Sequence, residues 1–288
     1  MPARDMRKGE QGGEVREFQE KLLLLGYKLP RWGADGSLGD EALAAVAAFM
    51  RDRHIGEPRD DLPALVPVAV VEAIDAAALK LATSTNLAPV IVDLRNAHSG
   101  QHRISRRAWA QITGITLHQT ATVMGEKGER WFGIPVQVGV TRKGQVFILN
   151  GCEWLTYHGN GLNTHDVGIE IDGYYEGVEG RPETLWRPAN EPGRVGMIPT
   201  PIQIDAVKAA VHWIRNEVAQ NGGAIKFIHA HRQASDQRQS DPGSGIWKRI
   251  GLWAQSELGL SDGGRDFKLG TGLRIPKEWD PSRDSIKY

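Results

Sequence analysis

Three residues far apart in the chain have the types and settings to share one metal ion. His118 ends the stretch ITGITLH, in which Ile115 and Leu117 alternate with Thr116 and His118 after Gly114. That pattern predicts a short half-buried strand delivering an imidazole at its end. The stretch IKFIHAH predicts a second strand, and because strand side chains repeat every two residues, His229 and His231 project from one face. The loop behind it returns Asp241. His118, one histidine of that pair and Asp241 make two imidazoles and a carboxylate. Three protein ligands with a fourth position open are the layout of a catalytic rather than a structural zinc, although the same donors accept other divalent ions. The chemistry such a site supports is hydrolysis by a water whose pKa the metal lowers to ~7.

The rest of the chain must position these groups, and its composition allows that. At 288 residues it can hold one large domain or two ordinary ones, and 40% hydrophobic with 24% charged residues is the balance of a globular protein with a real core. Lys+Arg and Asp+Glu are both 35, so no net charge argues for nucleic acid or an anionic membrane as partner. The single cysteine, Cys152, excludes an intramolecular disulfide framework and reads as a small buried apolar residue. The first residues, MPARDMRKGEQGG, hold no apolar run of the signal-peptide kind, and no stretch approaches the ~20 apolar residues of a membrane span. A protein made in the cytoplasm is expected.

Taken in order, Glu14 to Leu25 predicts an amphipathic helix stopped by Gly26, and EALAAVAAFMRD a second. Leu62 to Leu81 predicts a Pro-interrupted start and then a third helix. The polar segment Thr83 to Pro89 marks a domain boundary. Strands then alternate with helices: VIVDL, ITGITLH, a hairpin around Arg142–Lys143–Gly144, VGIEIDG over Val167 to Ile171, a helix from Thr200 to Gln220 burying Ala206, Ala210, Trp213 and Val218, the strand IKFIHAH, and a last helix from Gly245 to Leu258. The fold class expected is α/β, a mixed sheet with flanking helices, plus a small all-α N-terminal domain. The domains are drawn as 1–82, 83–260, and a tail, 261–288, whose spaced Phe267, Leu269, Ile275 and Trp279 predict packing on the larger domain.

The run GGEVREFQEKLLLLGY followed by ADGSLGDEALAAVAAFM resembles the three-helix peptidoglycan-binding domain found beside many cell-wall hydrolases, through Val15, Gln19, Leu22, Gly26, Asp35, Gly36, Val46 and Phe49 among others. It departs at Ala42 and Met50, where that family usually has Thr and Gln.

Residues 112 to 258 resemble the zinc-dependent N-acetylmuramoyl-L-alanine amidases, the family shared with peptidoglycan-recognition proteins. The resemblance rests on ITLHQTA, YHGNGLNTHDVGIEIDG and AHRQ with DPG ten residues beyond its histidine. It implies an amidase/peptidoglycan-recognition-like fold with Zn2+ held by His118, His231 and Asp241, which sets His231 ahead of His229 and leaves His229 as a supporting group. It further implies Glu170 as the acid/base for the water, with His158 at the rim of the substrate groove as a substrate contact or oxyanion donor. Many relatives have Lys where this chain has Gln239, so an uncharged donor, helped by Arg238 or Arg232, is expected to face the oxyanion. Asp172 and Glu153 read as solvated carboxylates at strand ends.

The function these features imply is cleavage of the amide between N-acetylmuramic acid and L-alanine by a bacteriolytic, endolysin-like enzyme. It would act as a monomer on cell-wall peptidoglycan after release at lysis, with neither nucleic acid nor membrane as partner. A non-catalytic peptidoglycan-recognition protein and a cytoplasmic muropeptide-recycling amidase are the alternatives. Gln239 favours the first of these, and the intact His118, His231, Asp241 and Glu170 oppose it.

Overall fold

The computed structural model describes residues 4–56, 64–84, 89–100 and 102–288, which form two compact units, Met1–Leu87 and Ala88–Tyr288. Leu62 and residues 85–88 of the expected boundary lie outside the described residues.

In the first unit, α1 (Gly13–Leu24), α2 (Asp40–Asp52) and α3 (Val68–Ser84) enclose a core built from Val15, Phe18, Leu22, Leu43, Val46, Phe49 and Ile74. α3 starts after Pro67, six residues later than the hydrophobic pattern begins. Gln19 is buried and organises the α1–α2 connection: its amide donates to Asp35 Oδ1 and the Ser37 carbonyl, and its oxygen accepts from Gly36 N–H. On the same connection Glu41 accepts from the N–H groups of Arg31 and Trp32, and the Trp32 ring stands 61% exposed.

The second unit is built on six strands: β1 (Ile91–Asp93), β2 (Gly114–Gln119), β3 (Val138–Val140), β4 (Val146–Ile148), β5 (Asp166–Ile171) and β6 (Phe227–Ala230). Their order across the sheet is β6-β2-β5-β3-β4-β1, and only the β3–β4 hairpin is antiparallel. Gly144 turns that hairpin at φ 86°, a conformation that favours glycine. The sheet is therefore mixed, as expected.

β2 departs from expectation. All six of its residues are buried, so it is a central parallel strand covered on both faces rather than a half-buried one. Period-two alternation still divides it. Ile115 and Leu117, with Val167 and Ile169 on β5 and Ile228 on β6, join the core beneath α4 (Pro201–Gln220) and the helical run over residues 244–258 (α5). Thr116, His118, Asp166, Gly168, Glu170 and His229 turn to the opposite face by the same alternation. α4 begins as its sequence predicts, with Thr200 Oγ1 accepting from Gln203 N–H and Pro201 in the first turn. Trp213 is only half-buried at the edge of the core; Ala206, Ala210 and Val218 are fully buried.

Small residues on the polar face make room for larger ones. A Cβ at Gly168 would stand 2.7 Å from both His158 Cγ and Val136 Cγ2. Gly168→Ala is expected to destabilise the protein by about 1–3 kcal/mol, the usual penalty of overpacking. Urea unfolding measures it, and a variant as stable as the parent would mean that the His158 ring is free to move.

Candidate metal centre

His118 sits near the end of β2, with Glu170 beside it in register on β5. His231 follows β6 in a single 3-10 turn, His231–Gln233, so it emerges one residue past the strand, and Asp241 ends the loop behind it. His118 Nδ1 is 2.9 Å from His231 Nδ1, which is 2.9 Å from Asp241 Oδ2; His118 Nδ1 and Asp241 Oδ2 are 3.9 Å apart. Ligand atoms around a tetrahedral zinc with bonds of ~2.0–2.1 Å stand about 3.3 Å from one another, so these three have the spacing of one coordination sphere.

The hydrogen bonds behind the rings fix which nitrogens carry protons. The carbonyl oxygen of Asp166 can only accept, so His158 Nε2, 3.2 Å away, donates to it. Burial, reinforced by His118, holds His158 well below the usual histidine range and therefore neutral, which leaves its Nδ1 bare. That nitrogen accepts from His118 Nε2 at 3.0 Å. Burial first, then the neighbouring His231, lowers His118 to about 4, so at neutral pH its Nδ1 carries a lone pair. On the other ring, His231 Nε2 donates to Asn160 Oδ1 at 2.8 Å, which turns its Nδ1 inward as an acceptor too. Asp241 Oδ1 is held by the Gln119 N–H at 2.9 Å, leaving Oδ2 for the centre. Burial raises the Asp241 carboxyl, but wherever a proton is shared between Oδ2 and the facing imidazoles the pairing with His118 and His231 outweighs this and holds it well below the usual carboxylate range.

Three acceptors at these distances repel unless a cation lies among them. A proton can bridge one pair; a divalent ion satisfies all three. The donor set thus fits a metal on its own chemistry, and His118, His231 and Asp241 are positioned to hold one.

Glu170 completes the centre. Its Oε2 is buried and has no hydrogen-bond partner among the described residues. Burial, then the charge of Asp241, raises the carboxyl to about 8, against an opposing pull from Arg238. This environment suits a group that must exchange a proton near neutral pH.

The other expected residues divide. His158 has both ring nitrogens engaged inside the domain, so it positions His118 rather than offering those nitrogens to a substrate. His229 stands outside the group of three: its Nδ1 meets Asp166 Oδ2 at 2.7 Å, and its ring stacks against Phe227 and Phe267. Gln239 is exposed, joined to the centre through its backbone carbonyl, which accepts from Arg232 Nη1. Arg232 is buried and tied there, while the charge of Arg238 acts on both His118 and Glu170. Asp172 is not solvated; it is fully buried and accepts from the N–H groups of Met124 and Gly125.

Residues 108–244 match the sequence profile of a family described as N-acetylmuramoyl-L-alanine amidase. This stretch carries all of the centre. The match lies within the second unit, and there the chain is similar to that family. A probable N-acetylmuramoyl-L-alanine amidase of Bacillus licheniformis is 41% identical to the chain over 50 residues, 17% of this chain and 14% of the relative. The amidase CwlL of the same organism is 39% identical over an equal length and share. The chain thus spans about a seventh of the curated relatives it matches. Among solved structures, the amidase LysC from Clostridium intestinale superposes with a TM-score of 0.41 at 16% identity, covering 60% of this chain and 99% of that one. A complex of the peptidoglycan recognition proteins LCa and LCx with tracheal cytotoxin superposes at 0.42 and 17%, covering 57% and 96%.

Asn160, Asp166 and Arg107 support the centre and were passed over by sequence reasoning. Arg107 is buried and holds the carbonyls of Cys152, Asn163 and Asp166, and burial lowers its guanidinium to about 10. Asn160 lies inside YHGNG with φ 53°, a left-handed conformation that asparagine tolerates better than most residues; that is the one local signal it gives. Asn160→Ala is expected to weaken metal binding about 10–100-fold by releasing the His231 tautomer, with little change in metal-free stability. Competition with a chromophoric chelator measures it; an unchanged affinity would mean that the ring holds its orientation without Asn160.

Proposed function

We propose that this protein is a zinc-dependent peptidoglycan amidase that hydrolyses the bond between the lactyl group of N-acetylmuramic acid and L-alanine. The observation that carries the reading is the convergence of two imidazole nitrogens and the Asp241 oxygen, with Glu170, whose Oε2 is buried and has no partner among the described residues, beside His118 on the next strand. A zinc ion held by His118, His231 and Asp241 would supply Lewis-acid polarisation of the amide carbonyl and a water of lowered pKa. Glu170 takes the proton of the attacking water and returns it to the leaving amine, a nearby divalent cation favouring the carboxylate form that the first transfer needs. The oxyanion would draw on the exposed Gln239 amide as a neutral donor and on the positive charge of Arg238, which acts on His118 and Glu170. His158 and Asn160 hold the two imidazoles in the ligating tautomer throughout.

The N-terminal unit is read as the wall anchor, with Trp32 offering a flat ring to a sugar, and tethering raises the effective concentration of the amidase domain on an insoluble polymer. Among the described residues no helix is long and apolar enough to cross a membrane.

The experiment is release of new amino termini from purified peptidoglycan by chelated, zinc-restored and Glu170→Ala protein in parallel. Zinc-dependent release lost in the variant supports the reading. Zinc-loaded protein that binds the wall and releases nothing makes this a recognition protein built on an amidase fold.

A further inference from the structure

Residues 261–288 lie beyond the family match, yet several of their contacts fall on the loop that supplies His231 and Asp241. The backbone N–H of Leu269 donates to the Gln233 carbonyl and that of Leu273 to the Arg232 carbonyl, both at 2.7 Å, immediately after His231. Gly272 permits this approach: a Cβ there would stand 2.0 Å from the Gln233 oxygen. Gln233 is tied a second time, its amide donating to the Asp262 carbonyl.

Arg232 connects the tail to the other end of the loop. Its guanidinium lies 4.8 Å from the Trp279 ring centre and 4.9 Å from that of Tyr288. Its Nη1 donates to the Gln239 carbonyl, and its own N–H donates to the carbonyl of Asp241. The tail is itself fastened: Trp279 is fully buried and donates to the Gly177 carbonyl, and Arg283 bridges Asp262 and Asp280.

We infer that the C-terminal segment 261–288 is a working part of the metal centre, a clamp that holds the His231–Asp241 loop in ligating geometry before the ion arrives. The physical reason is preorganisation. Two of the three groups that must converge on an ion come from one loop, so a loop already held in shape against His118 leaves less ordering for the ion to impose. Backbone bonds at 232–233 and an arginine packed against two rings hold that shape from outside the coordination sphere. The inference rests on the metal reading given above, and its residues are positioning residues.

The test compares full-length protein with Gly272→Val, which wedges the tail away from Gln233, and with Tyr288→Ala and Tyr288→Phe. Zinc affinity by chelator competition, the visible spectrum of the Co2+ form, and hydrogen exchange of the amides of residues 231–241 in metal-free protein are read for each. Expected are a zinc dissociation constant raised at least ~10-fold in Gly272→Val and Tyr288→Ala, faster exchange across 231–241, and near-parental values in Tyr288→Phe, which keeps the ring over Arg232. Ile214→Ala, a core change on α4 that lowers global stability, controls for general loosening. Affinities within twofold of the parent with unchanged exchange would overturn the inference, as would an equal loss of affinity in Ile214→Ala. If Gly272→Val does not fold, the Tyr288 pair decides alone. A parent protein that takes up no zinc defeats the metal reading instead, and the exchange measurement on metal-free protein then still reports on the clamp.

Discussion

Glu170→Gln protein is expected to bind zinc as tightly as the parent or slightly less tightly and to release peptide from peptidoglycan roughly 10²–10⁴-fold more slowly, the usual worth of a positioned general acid/base. The amide keeps the shape of the carboxyl and loses only its proton chemistry, and Glu170 is none of the three residues that face the ion. A loss of that size with zinc binding intact separates proton transfer from metal uptake. A variant that turns over at the parental rate would remove Glu170 from the reaction.

The same substitution has a signature without substrate. In the metal-free protein burial and Asp241 raise Glu170 to about 8, against about 4.3 for an exposed glutamate. A carboxyl raised in the folded state contributes stability below the unfolded value and loses it as pH rises through the folded one. The metal-free parent is therefore expected to lose stability between about pH 4.3 and 8, and Glu170→Gln to lose less over that window. A divalent cation nearby favours the carboxylate, so at pH 7 metal uptake by the parent should release more protons than uptake by the variant. Calorimetry in buffers of different ionisation enthalpy measures the difference.

Why some of this was legible in the sequence and some was not follows from the range of the interactions. Hydrophobic period and capping are local, so the hairpin at Gly144, the Thr200 start of α4 and the two-residue spacing of His229 and His231 could be read along the chain. The spacing alone left those histidines equivalent. What separates them is three-dimensional: β6 ends at Ala230, His231 swings out to face His118, and His229 stays over Asp166, stacked against two phenylalanines. The burial of β2 was misjudged for a related reason. Thr116 and His118 look like a solvent face until Asp166 and His158, 50 and 40 residues on, are seen to cover them. Asn160 and the clamp at Arg232 act through single contacts across 71 residues and through backbone groups, which leave no periodic trace.

Asp241→Ala is expected to abolish the response of the protein to zinc. Site-forming zinc contributes about 10–16 kcal/mol in small four-ligand domains, so one ligand of four is worth about 3 kcal/mol, or two to three orders of magnitude in affinity. At a zinc concentration 100 times the parental dissociation constant the parent gains about 2.7 kcal/mol of stability, and a variant weakened 100–1,000-fold gains less than about 0.5 kcal/mol. Asp241→Asn should fall between them, because it keeps an acceptor for the Gln119 N–H while giving up the charge. The metal-free proteins move differently. With a proton shared between its Oδ2 and the facing imidazoles of His118 and His231, which holds the carboxyl well below the usual range, Asp241 contributes stability above the unfolded value near 3.9 that is lost as the pH falls through the folded one. Removing it therefore costs stability at neutral pH even without zinc, and leaves the Gln119 N–H short of its acceptor, a further ~1–3 kcal/mol. Thermal unfolding with and without zinc distinguishes the two effects. A variant that still rises in Tm with zinc as the parent does would place the ion elsewhere than between His118, His231 and Asp241.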